Sequence, residues 1–207
     1  MQDKEQELAI LFMDIRNFTG LMEAQPGQTV IQVVRRLFTA FNQIVKQFGG
    51  KAVEMAGDSL YAVFGLQTGL KESVNNAYQA AKLMFQTVDL FNEAYAEPYN
   101  GGLLEIGVGI HSGKVFVGEF ALDEAPKMTV MGLPVNIASR LQAKTRELNN
   151  DLIISEDAYR LLADSSSIVN YQTVHLQGVS HGQMIRLAGK PFSTVHHQMD
   201  YLMAISG

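Results

Sequence analysis

Asp14 closes an apolar run from Leu8 to Ile15, and Asp58 stands between two short β-prone segments in the string Ala56-Gly57-Asp58-Ser59. Two carboxylates brought to one sheet edge suit a hard cation such as Mg²⁺, which takes a few carboxylates and fills its shell with substrate oxygens. Such ions neutralise phosphate charge and activate an attacking hydroxyl, so the chemistry within reach is that of a triphosphate. Asn136 and Arg140 are four apart in a helical stretch, share one face and can reach one ligand together. Taken singly, each acid also reads as an ordinary turn or strand-end aspartate, and the Asn136/Arg140 pair as a solvated helix face. There are no cysteines, so any metal must be held by oxygen or imidazole. His196 and His197 are adjacent and would point to opposite sides of an extended strand, which argues against joint metal binding. His111 reads as a structural strand-end residue and Arg16 as a solvated loop cation.

The elements that must position these groups are legible in outline. Leu8 to Ile15 reads as a buried central strand with Asp14 at its C-terminal edge. Val30, Val33, Val34, Leu37, Phe41, Ile44, Val45 and Phe48 recur at three and four, which predicts a core-facing helix over 29–48, stopped by Gly49 and Gly50. Segments 51–56 and 60–64 predict a tight hairpin with Asp58 in its turn. A second long helix is predicted over about 70–95, ahead of Pro98, Asn100, Gly101 and Gly102. Segments 104–111 and 115–117 read as a strand pair turning at Ser112, Gly113 and Lys114, followed by a loop over 119–127. Pro134 starts a helix running through Arg140 towards Leu148. A short strand at 152–154, a helix over 156–162 capped by Ser155, and two strands within 169–187 complete the order β α β β α β β α β α β β. That order predicts an α+β fold with a ferredoxin-like βαββαβ core, helices packed on a mostly antiparallel sheet.

With 47% hydrophobic and 18% charged residues among 207, the composition is that of one ordinary domain with a sizeable core. The net charge of −5 carries no basic run, which argues against a nucleic-acid groove or a polybasic membrane patch. The start MQDKEQE is charged, and no apolar run approaches the roughly 20 residues of a membrane span, so a cytoplasmic, soluble domain is expected. We divide the chain into a linker at 1–7, a catalytic domain at 8–190 and a tail at 191–207.

Four strings, ILFMDIRNFTG (10–20), GGKAVEMAGDSLYAVFG (49–65), GVGIHSGKVFVGEF (107–120) and VMGLPVNIASRLQ (130–142), resemble in order and spacing the successive motifs of class III adenylate and guanylate cyclases. The resemblance runs from about Leu8 to about Leu187. It implies that Asp14, Asp58 and the backbone carbonyl of Ile15 bind two Mg²⁺ or Mn²⁺ ions per site. It implies that Phe18 and Thr19 open a segment lying under the triphosphate, that Asn136 orients the ribose and that Arg140 stabilises the phosphate in the transition state. It also implies a homodimer with composite sites and an N-terminal sensor domain in the full-length protein. The base-reading positions fall on Glu54 and Thr129. A carboxylate accepts hydrogen bonds and cannot donate them, so Glu54 complements the N1–H and NH₂ of guanine and leans the expectation towards GTP. The Thr129 hydroxyl can face either base.

One departure stands out. Where many relatives carry a lysine-glycine-lysine string near the triphosphate, this chain reads Gln177, Gly178, Val179. Lys144 and Arg146 are candidate substitutes. The departure keeps open a catalytically weak pseudo-cyclase that regulates rather than turns over, and the base-reading positions keep open an adenylate cyclase with atypical base-recognition residues.

Overall fold

The computed structural model describes residues 4–24, 26–95, 103–120, 127–164 and 168–193. Strand β1 (Lys4–Ile15) lies at the centre of an eight-stranded sheet because its apolar residues serve both faces. Ala9, Leu11, Met13 and Ile15 enter one core cluster, Leu8 and Ile10 a second. This is the alternation a strand covered on both sides requires. Helices α1 (Phe18–Ala24) and α2 (Gly27–Gln47) follow, then the hairpin of β2 (Gly50–Ala56) and β3 (Ser59–Phe64), then α3 (Leu70–Tyr95). The predicted stripe on α2 is buried, and it faces the first cluster together with Val74, Ala77, Ala81 and Met84 of α3.

Next come β4 (Ile106–Phe120), β5 (Lys127–Met131), α4 (Leu133–Glu147), β6 (Leu152–Ser155), α5 (Glu156–Tyr159), β7 (Tyr171–Val174) and β8 (Gln183–Leu187). The strand order β2-β3-β1-β4-β6-β8-β7 contains the ferredoxin-like β2-β3-β1-β4 core, and β5 pairs with β4. Only β4 with β6 is parallel among the described pairs. The expected α+β class and mostly antiparallel sheet hold. Ser155 caps α5 as expected, its hydroxyl accepting from the Ala158 N–H at 3.3 Å.

Local pattern misleads in three places. Residues 104–111 and 115–117 are not a hairpin: Ser112, Gly113 and Lys114 stay extended inside β4 because β1 pairs with them through Ala9, Leu8 and Glu7. Ladder hydrogen bonds override a local turn signal. The same pairing takes Lys4 to Glu7, expected as linker, into β1, where an exposed strand end tolerates polar side chains. Third, β5 forms where no element is predicted, and Glu119 and Phe120, expected in a loop, are strand paired with Met128 and Lys127. Helix α5 also ends at Tyr159 rather than at Leu162. His196 and His197 lie outside the described residues.

Helix α4 lies along β4 on the second face of the sheet, running the opposite way. Its approach is closest at Gly109, where a Cβ would meet the backbone of Gln142 and Ala138, so only glycine lets the helix sit at this depth. Pro134 sits against Gly113 and Thr145 against Gly107, which fixes the direction of the helix along the strand.

Candidate active site

The acids meet at the C-terminal end of β1. The turn carrying Asp58 needs Gly57 in the left-handed region (φ 59°) to reverse in two residues. Its backbone is tied to the strand end, the Ile15 N–H donating to the Asp58 carbonyl at 3.0 Å. Asp14 sits opposite Ser59 in the ladder, and the Ser59 hydroxyl donates to Asp14 Oδ2 at 2.5 Å. Burial lifts the Asp14 carboxyl above its ordinary value and the Asp58 charge pushes the same way, while Ser59, Arg146 and Arg16 oppose them. A half-buried carboxylate that shares its corner with a second one is an oxygen-donor site with surplus negative charge, the condition under which a divalent cation binds well. Among the described residues no group of three or more acidic, His or Cys side chains converges, so such an ion would depend on substrate oxygens for much of its shell. The donor set therefore fits Mg²⁺ or Mn²⁺ held by Asp14 and Asp58.

Beyond the strand, Asn17 (φ 52°) makes the sharp entry to α1 and its carbonyl accepts from the Leu21 N–H at 3.0 Å. Phe18 packs against the main core and Thr19 is exposed, so the first turn of α1 faces solvent beside the acids. Arg16 is not the solvated cation expected. Its guanidinium stacks on the Phe192 ring at 4.2 Å and its Nε is buried without a hydrogen-bond partner. Phe192, expected in the tail, is itself buried, so the folded unit extends at least that far.

Glu54 is exposed on β2 at a bulge, opposite Tyr61. Tyr61 stacks on Phe12 at 4.5 Å and its hydroxyl donates to the Val130 carbonyl at 3.4 Å, which ties β3 to the residue after Thr129. Burial raises the Tyr61 hydroxyl well above the usual tyrosine value, with the Glu54 charge adding to the effect. Glu54 thus stands beside a phenol that is tied to the strand carrying Thr129. Thr129 directs its hydroxyl towards the Lys127 carbonyl at 3.4 Å.

Asn136 and Arg140 share the exposed face of α4, and Arg140 lines a shallow cleft of about 290 Å³ with His175 and Gln177. They are not brought to the acids. Helix α4 turns Ile137, Ala138, Leu141 and Thr145 to the sheet, so Asn136 and Arg140, exposed on its other side, point away from the sheet that carries Asp14. Two clusters of predicted site residues therefore occupy separate places on one chain. His111 has the structural role expected, its Nδ1 sharing a 2.7 Å hydrogen bond with the Ser155 hydroxyl while burial lowers its value to about 4. Val179 packs against a further apolar cluster that includes Ile137, Leu141, Ile153 and Ile185, and Gly178 turns with φ 79°; the Gln177-Gly178-Val179 segment supplies no cation. Sequence reasoning misses Ser59, whose only signal is its place one residue after Asp58.

The family model of the adenylate and guanylate cyclase catalytic domain matches residues 1–189. An adenylate cyclase of Anabaena cylindrica is 30% identical over 159 residues, 75% of this chain and 31% of that protein. The guanylate cyclase soluble subunit alpha-1 of Rattus norvegicus is 29% identical over 168 residues, 80% of this chain and 23% of that protein. The chain thus spans less than a third of these relatives. The fold is shared with the adenylyl cyclase CyaB from P. aeruginosa (TM-score 0.80, 24% identity, 90% of this chain and 95% of that one). It is shared equally with the guanylyl cyclase Cya2 (TM-score 0.81, 24% identity, 93% and 97%). No helix among the described residues is long and apolar enough to cross a membrane. The chain belongs to the adenylate and guanylate cyclase catalytic domain family.

Proposed function

We propose that this chain converts a purine nucleoside triphosphate, GTP in preference to ATP, into its 3′,5′-cyclic monophosphate and pyrophosphate, for cyclic-nucleotide signalling. The observation that carries the reading is the corner at the end of β1, where Asp14 and Asp58 are tied together through Ser59 and Ile15. Asp14, Asp58 and the Ile15 carbonyl would hold two Mg²⁺ or Mn²⁺ ions. When bound, these ions supply charge neutralisation at the phosphates and a lowered pKa at the ribose 3′-hydroxyl. The 3′-oxygen attacks the α-phosphorus in line, and the bond to the bridging oxygen breaks as pyrophosphate departs. The N–H groups at Phe18 and Thr19 face the phosphates.

Asn136 holds the ribose and Arg140 meets the charge that grows on the α-phosphate, a task suited to a fixed guanidinium fork. Because these two point away from the sheet that carries the acids on their own chain, they serve the acids of a second copy. A two-fold homodimer then builds two complete sites from one sequence. Glu54 accepts from guanine N1–H and NH₂ across the same interface, and Thr129 contacts O6. On this reading the domain works in the cytoplasm, downstream of a sensor domain in the full-length protein.

A second reading, a pseudo-cyclase that binds nucleotide without turnover, is motivated only by the Gln177-Gly178-Val179 segment and stands against the cyclase family match over residues 1–189. One assay separates them: purified chain with Mn²⁺, offered GTP and ATP in parallel, with cyclic product quantified. The expected result is product, more from GTP, and a ratio that moves towards ATP in Glu54→Lys. No product from either substrate would sink the enzyme reading, and an unchanged ratio would remove Glu54 from base selection.

A further inference from the structure

The charge of the terminal phosphates must be met by cations, and the segment that supplies one in many relatives supplies none here. Lys144 is held by Glu147 at 2.6 Å. Among the described residues the cations that act on Asp14 are Arg146 and Arg16, and one turn of backbone organises both. Thr145 seats on Gly107, where a Cβ would collide with its hydroxyl, and Gly107 is the ladder partner of Asp14. The last turn of α4, with Arg146, is thereby held beside the end of β1. Asn149, just past that turn, accepts from the Phe192 N–H at 3.1 Å, and Phe192 is the ring on which Arg16 stacks.

The Arg146 charge acts on both Asp14 and Arg16. Two guanidinium groups held at one corner, one with a buried and unpartnered Nε, form an arrangement that a multiply charged anion completes.

We propose that Arg16 and Arg146 form the subsite for the β- and γ-phosphates and receive the leaving pyrophosphate. The inference rests on the cyclase reading of Asp14 and Asp58. As the bond from α-phosphorus to the bridging oxygen breaks, the negative charge of that oxygen passes to pyrophosphate, where the two forks meet it. Arg146 in this role replaces the missing C-terminal cation from a different element.

The test is calorimetric titration of the purified chain with Mg²⁺ and inorganic pyrophosphate, alongside KM and kcat for the triphosphate. Arg146 is exposed, so Arg146→Gln should fold normally. Loss of a charge-assisted contact is expected to weaken pyrophosphate binding and raise KM roughly ten- to a hundredfold. Arg146→Lys should recover part of this. Lys144→Gln removes the same charge from the same turn and should leave both within about twofold. Unchanged pyrophosphate affinity in Arg146→Gln, an equal loss in Lys144→Gln, or no pyrophosphate binding by the parent chain would each overturn the subsite. If Arg146→Gln loses pyrophosphate while the parent makes no cyclic product, the subsite stands and the cyclase reading falls. If Arg146→Gln turns over with unchanged KM, the cyclase reading stands and the subsite falls.

Discussion

Removing the Ser59 hydroxyl should make the proposed metal site more sensitive to acid. That hydroxyl donates to Asp14 Oδ2 at 2.5 Å, a bond that favours the charged carboxylate. Hydrogen bonds to charged groups are worth about 1.5–3 kcal/mol. Because Asp14 is only half-buried, solvent screening places this one at the low end, about 1.5 kcal/mol. Burial and Asp58 already raise the Asp14 value, so in Ser59→Ala the proton competes with metal over a wider range. A metal ligand must be deprotonated, and the acidic limb of metal activation should therefore move to higher pH. The assay is the Mn²⁺ concentration giving half-maximal cyclic product from about pH 5.5 to about pH 8.5. The expected result is a deficit of roughly tenfold at the acidic end, closing as the pH rises, with Ser59→Thr behaving like the parent. An unmoved limb, or a loss equal at every pH, would refute proton competition at Asp14.

Two further predictions concern the scaffold. Gly109→Val sets a side chain against the backbone of Gln142 and Ala138, neither of which can rotate away, and should destabilise the fold by about 1–3 kcal/mol or more in urea unfolding. An unaffected midpoint would show that α4 does not depend on this close approach. Burial raises the Asp151 carboxyl from 3.8 to about 6, against the Lys190 N–H, which donates to it at 2.8 Å. Its contribution to stability is therefore fully present below the unfolded value and is lost as the pH rises through about 6. Taken in full this offset is about 3 kcal/mol, and solvent screening reduces it to about 1 kcal/mol. Asp151→Asn keeps an oxygen for Lys190, so it should be more stable than the parent by about 1 kcal/mol at neutral pH and equal to it near pH 4. Equal stability at both would contradict a buried, raised carboxyl at this position.

The elements built on local pattern are legible in the residues themselves. The stripe on α2, the Gly57-Asp58 turn and the apolar β1 each carry their period and their punctuation in consecutive residues. What is not legible depends on partners distant in sequence. Ser112-Gly113-Lys114 reads as a turn and is held extended by Glu7, Leu8 and Ala9, about a hundred residues away. Lys4 to Glu7 lack apolar alternation, because their pairing is made by backbone at an exposed strand end.

The candidate site divides in the same way. Asp14 and Asp58 are visible as residue types in suggestive places, but Ser59 becomes a partner of Asp14 only once the register is known. Arg16 follows the same logic, since the ring that buries it comes from Phe192. The separation of Asn136 and Arg140 from the acids is a consequence of how α4 lies along β4, which no local spacing encodes.

On the proposed reading that separation calls for a second copy, and mixing two inactive chains tests it. Asp58→Ala removes the acid half of a site and Arg140→Ala the transition-state half, so each homodimer should be inactive. In a refolded equimolar mixture half the dimers are mixed, and each mixed dimer pairs an intact acid corner with an intact Arg140 at one of its two sites. Activity should return to roughly a quarter of the parent value. A mixture as dead as its components, or an Arg140→Ala chain that still turns over alone, would contradict a site shared between two copies.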